Sequence, residues 1–374
     1  MSFETANDYM LHPLDSAVRH VYVHIPFCTH ICPYCAFYKT RNLTSAMRPF
    51  LPALQREVEW SIPRLAIKPE TVFFGGGTPS ALSLSQIREL DAWWPWHHIP
   101  EFTWETNPMT VSAAKIEALQ HLGVNRISLG VQAFDVASLQ LLGRTHRASD
   151  VVTTVQRLRH GGLHNINIDL MFALPGQSMQ TWRESVEQAL ALKPTHMSLY
   201  ELTYEEDTEF LQKVSLGDLV PSDLGREMHL WAIEFLTEQG FRHYEVSNFA
   251  RPGFEAAHNL ACWRGSDYVG FGPSACSTVG LQRWRTVADI TVYAANPLQR
   301  EWEPLDPSVR RSEQIILGLR TCEGIPRDWL SDRDSLVQDF ASQGWLTCEC
   351  DRVILTSSGM MVADSILDHF LNLP

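Results

Sequence analysis

The alternation of strand-like and helix-like segments over residues 21–205 is the feature that most constrains the fold. Strands that alternate with helices pair in parallel through crossover connections. Six such units predict an α/β fold, either an open, incomplete (β/α)6 barrel or a doubly wound sheet. The predicted strands span residues 21–25, 71–74, 101–106, 126–130, 165–171 and 197–202, and the predicted helices span 47–62, 85–94, 111–122, 136–142, 150–160 and 179–192.

The pattern changes after about residue 205, where the regular alternation ends. A helix is predicted at residues 221–240, whereas residues 243–280 are rich in glycine, histidine and aromatic residues and show little periodicity. Helices predicted at 312–319 and 359–371 flank a hairpin at 345–356, which indicates a small winged-helix-like module. The predicted organisation is an N-terminal tail at 1–20, a core barrel at 21–250 and a C-terminal α+β region at 251–374.

Composition and charge exclude several classes of protein. The 374 residues are 45% hydrophobic and 20% charged, which is typical of a globular chain with a core. The formal net charge of −13 argues against a nucleic-acid partner, because phosphate binding needs concentrated Lys and Arg. The chain shows neither an apolar run of roughly 18 residues nor a signal peptide, so a cytoplasmic location is expected. Transient membrane association and the oligomeric state are left open.

Three of the eight cysteines follow the first predicted strand with the spacing C-x3-C-x2-C. Cys28, Cys32 and Cys35 on one short loop can hold three irons of a [4Fe–4S] cube and leave the fourth iron open to a chelating ligand. A zinc site with His24 or His30 as fourth ligand is a second interpretation. Three free buried cysteines are the third. A loop that directly follows a strand is where a ligand site belongs in both predicted folds, which favours the cluster.

The cysteine loop resembles the signature of the radical S-adenosylmethionine (SAM) superfamily, including the aromatic Tyr34 before the last cysteine. The preceding run Tyr22-Val-His-Ile-Pro-Phe-Cys28 resembles the HemN/HemW-like branch of that superfamily. The resemblance implies that the amine and carboxylate of SAM chelate the open iron. It also implies that an electron from the cluster cleaves SAM to a 5′-deoxyadenosyl radical.

Motifs at the later strand ends agree with a SAM pocket. The resemblance implies that Gly76, Gly77 and Thr78 meet the methionyl amine of SAM, since glycines let a backbone approach a ligand closely. It implies Arg144 on the SAM carboxylate and Asp169 on a ribose hydroxyl. Taken singly, each could equally be a tight turn or a surface polar residue, but their order along five strand ends favours SAM binding. The other residues implied in this pocket are Tyr22, Tyr34, Glu105 and Gln132.

The residue two places after the third cysteine separates the members of this branch. HemN-type coproporphyrinogen dehydrogenases have a fourth cysteine there, and this chain has Phe37. Phe37 therefore disfavours a coproporphyrinogen III dehydrogenase and favours a HemW-like protein, whose pattern continues C-x-F. The resemblance implies a haem chaperone that binds haem as cargo, together with SAM and the cluster, and passes it to haem proteins such as respiratory enzymes.

The expected haem ligands depart from the HemW pattern. The HemW motif HNxxYW falls on His258 to Trp263, where Cys262 replaces its tyrosine, and Cys276 stands where HemW proteins commonly have histidine. Because haem iron accepts either His or Cys thiolate, His258, Cys262 and Cys276 are all candidate axial ligands. In the alternative interpretation, His258 hydrogen-bonds a turn and both cysteines are small core residues.

Two other functions remain open at this stage. A class C radical SAM methylase or a cyclopropane-forming enzyme acting on a specialised metabolite would share the three cysteines and the HemN-like body. A binding module with a purely structural cluster is the third hypothesis. Whether SAM is cleaved or only held, and therefore whether the protein is an enzyme, does not follow from the residues.

Overall fold

A computed structural model describes residues 4–5, 17–42, 44–205, 208–210, 220 and 222–371. Most of the predicted N-terminal tail, residues 1–3 and 6–16, lies outside the described residues.

Six parallel strands form the centre of the fold, in the order in which they occur along the chain. Each pairs with the next in parallel, and one or two helices follow each strand along the chain. The α/β fold predicted from the alternation is therefore confirmed. The strands are β1 (His20–Ile25), β2 (Thr71–Gly76), β3 (Glu101–Thr106), β4 (Arg126–Gln132), β5 (Asn165–Phe172) and β6 (His196–Glu201), and the helices are α1 (Thr44–Leu65), α2 (Leu84–Trp93), α3 (Ala113–Leu122), α4 (Val136–Leu141), α5 (Ala148–His160) and α6 (Met179–Ala191).

The strand order distinguishes between the two architectures that the sequence left open. A doubly wound sheet reverses its strand order at a switch point, whereas β1 to β6 succeed one another without reversal. The doubly wound alternative is therefore wrong, and the strands form an incomplete barrel.

Short strands extend both edges of this barrel. One parallel strand pairs with β1 and one antiparallel strand pairs with β6, so β1 and β6 do not pair with each other. Four of these strands and one helix fall within residues 243–280 or overlap them, where the sequence showed little periodicity. The added strands are β7 (Arg242–Glu245), β8 (Asn248–Ala250), β9 (Tyr268–Phe271), β10 (Cys276–Val279), β11 (Gln282–Thr286) and β12 (Gln299–Pro304), and Glu4–Thr5 pairs with β12.

The two faces of the barrel strands differ in chemistry because successive side chains alternate between them. Val21 and Val23 of β1 and Phe74 of β2 belong to one buried cluster with Phe50 and Leu54 of α1, which places this face under the helices. The opposite face lines the barrel interior and is largely polar. Its members include Tyr22, Thr103, Glu105, Arg126, Ser128, Asn167, Asp169 and Ser198.

Local signals fix the ends of the helices. Ser83 caps α2, because its hydroxyl oxygen accepts a hydrogen bond from the Gln86 backbone N–H. The Gln86 side-chain oxygen in turn accepts from the Ser83 backbone N–H, which completes a capping box. Gly123 ends α3 in the left-handed conformation, at φ 103°. None of the described helices combines the length and the apolar character that crossing a membrane requires.

The C-terminal segment builds a small module with its own hydrophobic cluster. Its hairpin is antiparallel as predicted, and a third short strand pairs with it. The helix predicted at 359–371 is two helices instead of one. The domain boundary predicted at residue 250 stays a prediction, and the large sheet is continuous across it. The remaining elements are α7 (Ser222–Glu238), α8 (Ala257–Trp263), α9 (Ile290–Ala295), α10 (Pro307–Leu319), β13 (Ile325–Pro326), α11 (Asp334–Ser342), β14 (Leu346–Glu349), β15 (Arg352–Leu355), α12 (Ser357–Met360) and α13 (Ala363–Leu371).

Candidate functional site

The three clustered cysteines lie on a closed loop directly after β1. Cys28 ends the two-residue strand Phe27–Cys28, which pairs with Thr40–Arg41 on the far side of the loop. Within the loop the Cys35 backbone N–H donates to the Cys32 carbonyl at 3.2 Å. Cys28 is buried and the other two are half-buried, so the loop presents three thiols at the carboxyl end of the barrel.

Two hydrogen-bond donors point at the sulfurs. The Thr78 hydroxyl donates to Cys28 Sγ at 3.7 Å, and Arg144 Nη1 donates to Cys32 Sγ at 3.6 Å. Burial raises the pKa of the Cys28 and Cys35 thiols and so disfavours their thiolate forms. Positive charge, such as that of bound iron, offsets the cost of burying thiolates.

The arrangement of possible ligands does not support the zinc interpretation. Within the described ranges, no three His, Cys, Asp or Glu side chains converge closely enough to hold one metal ion. His24 is occupied instead by a hydrogen bond from Nε2 to the Tyr38 carbonyl at 2.8 Å. In a cubane cluster each thiolate binds a different iron, so the three sulfurs need not converge on one point.

The glycine segment after β2 packs against the chain that leads into the cysteine loop. Gly76 has φ +104°, and a Cβ there would lie 2.6 Å from the His24 ring. A Cβ on Gly77 would lie 2.7 Å from the Pro26 carbonyl carbon. The Gly77 and Thr78 backbone N–H groups donate to the carbonyls of Ile25 and Phe27 at 2.8 and 2.9 Å. These glycines are required by close approach to the chain beyond β1, and their contact with SAM stays a prediction.

Two half-buried carboxyl groups, those of Glu105 and Asp169, face the barrel interior. Burial and the neighbouring Asp169 raise the pKa of Glu105 to about 8, although the Gly76 backbone N–H donates to it. Burial also raises the pKa of Asp169, which accepts from Asn167 Nδ2 at 2.6 Å and from the Ser128 hydroxyl. A cationic ligand between these two groups would relieve their repulsion.

Arg144 is held beside the cysteines by the ends of β3 and β4. Its Nη2 donates to Asn107 Oδ1 at 2.7 Å and to the Gly130 carbonyl. Gln132 adopts φ +70° at the end of β4, next to a register shift in the pairing with β5. Asn107 is a site residue that the sequence argument did not assign. Its position two residues after Glu105, at the same strand end, is the signal that could have found it.

The two tyrosines of the predicted pocket contact different residues. Because the Tyr38 carbonyl only accepts, His24 Nε2 carries the proton and Nδ1 accepts from the Tyr22 hydroxyl at 3.1 Å. Burial lowers the pKa of His24 to about 4, which keeps its ring neutral. Burial and the nearby Cys32 raise the pKa of Tyr34, which packs against Leu142 and its neighbours.

The structure separates His258 from the cysteine loop. His258 Nδ1 hydrogen-bonds Thr71 Oγ1 at 2.9 Å, and Thr71 is the first residue of β2. Gly76, beside the cysteine loop, is the last residue of β2, about 16 Å away at about 3.3 Å per residue. The candidate haem ligand therefore lies near the opposite end of the barrel from the cysteines.

The other candidate haem ligands lie on α8 and at the start of β10. Cys262 is four residues further along α8 and shares its helix face, and burial raises the pKa of its thiol to about 11. Cys276 is exposed at the start of β10. Burial raises the pKa of Tyr268 on β9, and nearby Cys262 and Cys276 add to this effect.

Comparison with known proteins agrees with this geometry. The family model described as Radical SAM superfamily matches residues 22–189. The chain is 33% identical to heme chaperone HemW of Bacillus subtilis, over 95% of this chain and 99% of that protein. The chain belongs to the radical SAM superfamily, in its HemN/HemW-like branch.

Further relatives of this branch match along most of their length. The chain is 37% identical to the mitochondrial radical S-adenosyl methionine domain-containing protein 1 of Danio rerio, over 96% of this chain and 88% of that protein. The solved structure of coproporphyrinogen III oxidase (HemN) from Escherichia coli has the same fold, with a TM-score of 0.84 and 22% identity over 99% of this chain and 96% of that one.

Membership of the superfamily implies a [4Fe–4S] cluster and SAM, and the described residues fit both. The donors aimed at Cys28 and Cys32 suit thiolates, and the half-buried carboxyl groups of Glu105 and Asp169 suit a cationic ligand. The assignment of each predicted residue to one of these groups stays a prediction.

Proposed function

We propose that the protein is a haem chaperone that holds SAM and a [4Fe–4S] cluster at one end of its barrel. The observation that carries this proposal is the match from end to end with proteins named heme chaperone HemW. Phe37, where HemN-type enzymes have a fourth cysteine, supports it against porphyrinogen oxidation. The side chain of Phe37 is 69% exposed beside the cysteine loop, so it takes no part in the core.

Each residue of the cysteine end has a role in this proposal. Cys28, Cys32 and Cys35 would hold the cluster through three of its irons and would leave one iron open for SAM. Arg144 binds the SAM carboxylate, because a guanidinium pairs with it through two hydrogen bonds. The cluster, when bound, supplies a single electron at the sulfonium of SAM. Around it, Tyr22, Tyr34 and Gln132 would line the pocket. Gly76, Gly77 and Thr78 would meet the methionyl amine of SAM. Glu105 would meet the amine or a ribose hydroxyl, and Asp169 would meet a ribose hydroxyl.

The haem iron is assigned to the α8 end of the barrel. When His258 Nδ1–H donates to Thr71 Oγ1, the Nε2 atom keeps the lone pair that iron needs. Burial lowers the pKa of His258 to about 3, so the ring is neutral. Because only 6% of His258 is exposed, coordination requires α8 to shift away from β2. Cys276 is exposed and is the ligand that haem reaches without such a shift.

The finer parts of the proposal concern where the protein acts. Iron–sulfur assembly needs reduced thiols, and all eight cysteines are free, which supports a reducing compartment such as the cytoplasm. Haem proteins such as respiratory enzymes are the proposed recipients. Transfer is measured by mixing the haem-loaded protein with an apo haem protein and following the recipient's absorption spectrum.

A haem titration of the anaerobically reconstituted protein tests the proposal, with the Soret band as readout. We expect saturation at one haem per chain. His258→Ala should weaken binding by about tenfold or more, since a lost coordinate bond exceeds the ~1.4 kcal/mol of a tenfold change. His121→Ala is the matched control, because that histidine lies on the surface and pairs with Asp91.

The possible outcomes separate the competing hypotheses. A wild-type protein with an intact cluster and no stoichiometric Soret shift would contradict the chaperone. If the Soret shift were lost in Cys276→Ala but kept in His258→Ala, Cys276 on β10 would be the haem ligand. Replacing Cys28, Cys32 and Cys35 together by Ala should remove iron and sulfide. Release of S-adenosylhomocysteine together with methylation of an aromatic substrate would favour the methylase.

A further inference from the structure

A chain of hydrogen bonds joins two of the three clustered cysteines through one amide. Thr78 Oγ1 donates to Cys28 Sγ at 3.7 Å, and Asn107 Nδ2 donates to Thr78 Oγ1 at 3.1 Å. On the other side Arg144 Nη2 donates to Asn107 Oδ1 at 2.7 Å, and Arg144 Nη1 donates to Cys32 Sγ at 3.6 Å. Asn107 thus contacts both of the donors that point at the sulfurs and touches neither sulfur.

The chemistry of the partners fixes the orientation of this amide. Thr78 has one hydroxyl proton, and a thiolate can only accept, so Thr78 must itself accept from Asn107 Nδ2. Arg144 has no acceptor, so it requires the carbonyl oxygen of the amide. Asparagine supplies a donor and an acceptor on one short side chain. Aspartate lacks the donor, and leucine lacks both.

The backbone of Asn107 is held as firmly as its side chain. Its N–H donates to Ser80 Oγ at 3.3 Å, and its carbonyl accepts from the Thr110 hydroxyl at 2.6 Å. Gly130 leaves the space that the amide needs, since a Cβ there would lie 3.1 Å from Asn107 Oδ1. The same Cβ would lie 3.2 Å from Gln132 Nε2. The contacts with Ser80 and Thr110 and the absence of a side chain on Gly130 therefore fix the position of the Asn107 side-chain amide.

We propose that Asn107 is a positioning residue that aims Thr78 and Arg144 at the cluster thiolates and so sets the reduction potential of the cluster. Hydrogen bonds to cluster sulfurs are one of the terms that determine this potential. They stabilise the more electron-rich reduced state and raise the potential. The inference rests on the cluster of the proposed function and is independent of haem.

The test is an anaerobic redox titration of the reconstituted protein, followed by electron paramagnetic resonance. Asn107→Leu should lower the midpoint potential, because both donors lose their partner. It should also weaken SAM binding by about tenfold, since Arg144 is no longer held in place. Asn125→Leu is the matched control at the opposite end of β3, where Asn125 accepts from Phe102 N at 2.8 Å. The control should leave both quantities unchanged.

A second variant covers failure of the first to fold or to hold a cluster. Asn107→Asp keeps the acceptor for Arg144 and loses the donor to Thr78, whose hydroxyl then turns to the carboxylate. It should lower the potential and keep the affinity for SAM. In a Thr78→Val background, the effect of Asn107→Asp on the potential should shrink, because the two residues act in series.

The outcomes distinguish this inference from the proposed function. A wild-type protein that reconstitutes no cluster contradicts the cofactor assignment itself. If Asn107→Leu and Asn107→Asp both hold a cluster with the potential of the wild type, the role of Asn107 is overturned. The proposed function then still stands. A shift in Asn107→Asp that Thr78→Val does not reduce also overturns it, because the effect would then bypass Thr78.

Discussion

At the scale of single residues, the half-buried carboxyl of Glu105 makes stability depend on pH. Burial and Asp169 raise its pKa from 4.5 to about 8. The folded protein therefore binds one more proton than the unfolded chain between these two values. By linkage, this group makes the free energy of unfolding fall as pH rises from about 4.5 to about 8. A ligand group that donates a hydrogen bond to Glu105 favours its ionised form, so binding of SAM is expected to release the proton.

We expect the affinity for SAM to increase as pH rises from 6 to 8 and then to level off. Isothermal calorimetry in two buffers of different ionisation enthalpy measures the released proton directly. Glu105→Gln should bind SAM more weakly and without this pH dependence, because the amide cannot ionise. Equal proton release in wild type and Glu105→Gln would show that Glu105 does not meet the cationic part of SAM.

The residue scale also shows why part of the site could be predicted. The cysteine loop and Glu105 lie at strand ends, and their residue types alone predict metal binding and ligand binding. Asn107 does not, because its role depends on Thr78 and Arg144, which are 29 and 37 residues away along the chain. Only the folded barrel brings these three strand ends together.

At the scale of elements, the short helix α8 depends on its neighbours for its start. Its N-cap residue Ala256 offers no side-chain acceptor. The carboxylate of Glu101, the first residue of β3, accepts instead from the backbone N–H groups of Ala257 and His258 at 2.8 and 2.9 Å. The Tyr244 hydroxyl accepts from the Ala256 N–H at 3.2 Å. The helix that carries His258 is thus capped by Glu101, a residue of the barrel that is remote in sequence.

Glu101→Ala should lower the free energy of unfolding by about 2 kcal/mol, the upper end of the range for a lost helix cap. Chemical denaturation at neutral pH measures the loss. Glu117→Ala, on the exposed side of α3, is the matched control and should change stability little. If the two variants were equally stable, the carboxylate of Glu101 would not be the cap of α8.

The lengths of the elements also explain which parts of the fold could not be predicted from the sequence. The six barrel strands and their helices are long enough to show their period, and β3 matches its predicted bounds at Glu101–Thr106. The strands β7 to β10 have three or four residues each, too few for a period of two to be recognised. Two of them pair with β1 and β6, which are remote in sequence, so only tertiary contacts define them.

At the scale of the whole molecule, the barrel has two chemically different ends. Cysteine thiols, Arg144 and the carboxyl groups lie where the strands finish, and α8 with His258 covers where they begin. Aromatic rings connect these ends. The Phe73 ring lies 5.3 Å from His258 and 6.2 Å from Tyr22, and Tyr22 in turn hydrogen-bonds His24 beside the cysteine loop. The two ends are in contact through the core, and the length of β2 separates them.

This separation predicts that SAM and haem bind at the same time. The haem dissociation constant should be unchanged by saturating SAM, because the length of β2, about 16 Å, lies between the two assigned positions. His258→Ala should weaken haem binding and leave SAM binding intact, whereas Arg144→Ala should do the reverse. Haem titrations with and without SAM, on these two variants and the wild type, measure both. Displacement of haem by SAM would place both ligands at the cysteine end, and the role of α8 would then be structural.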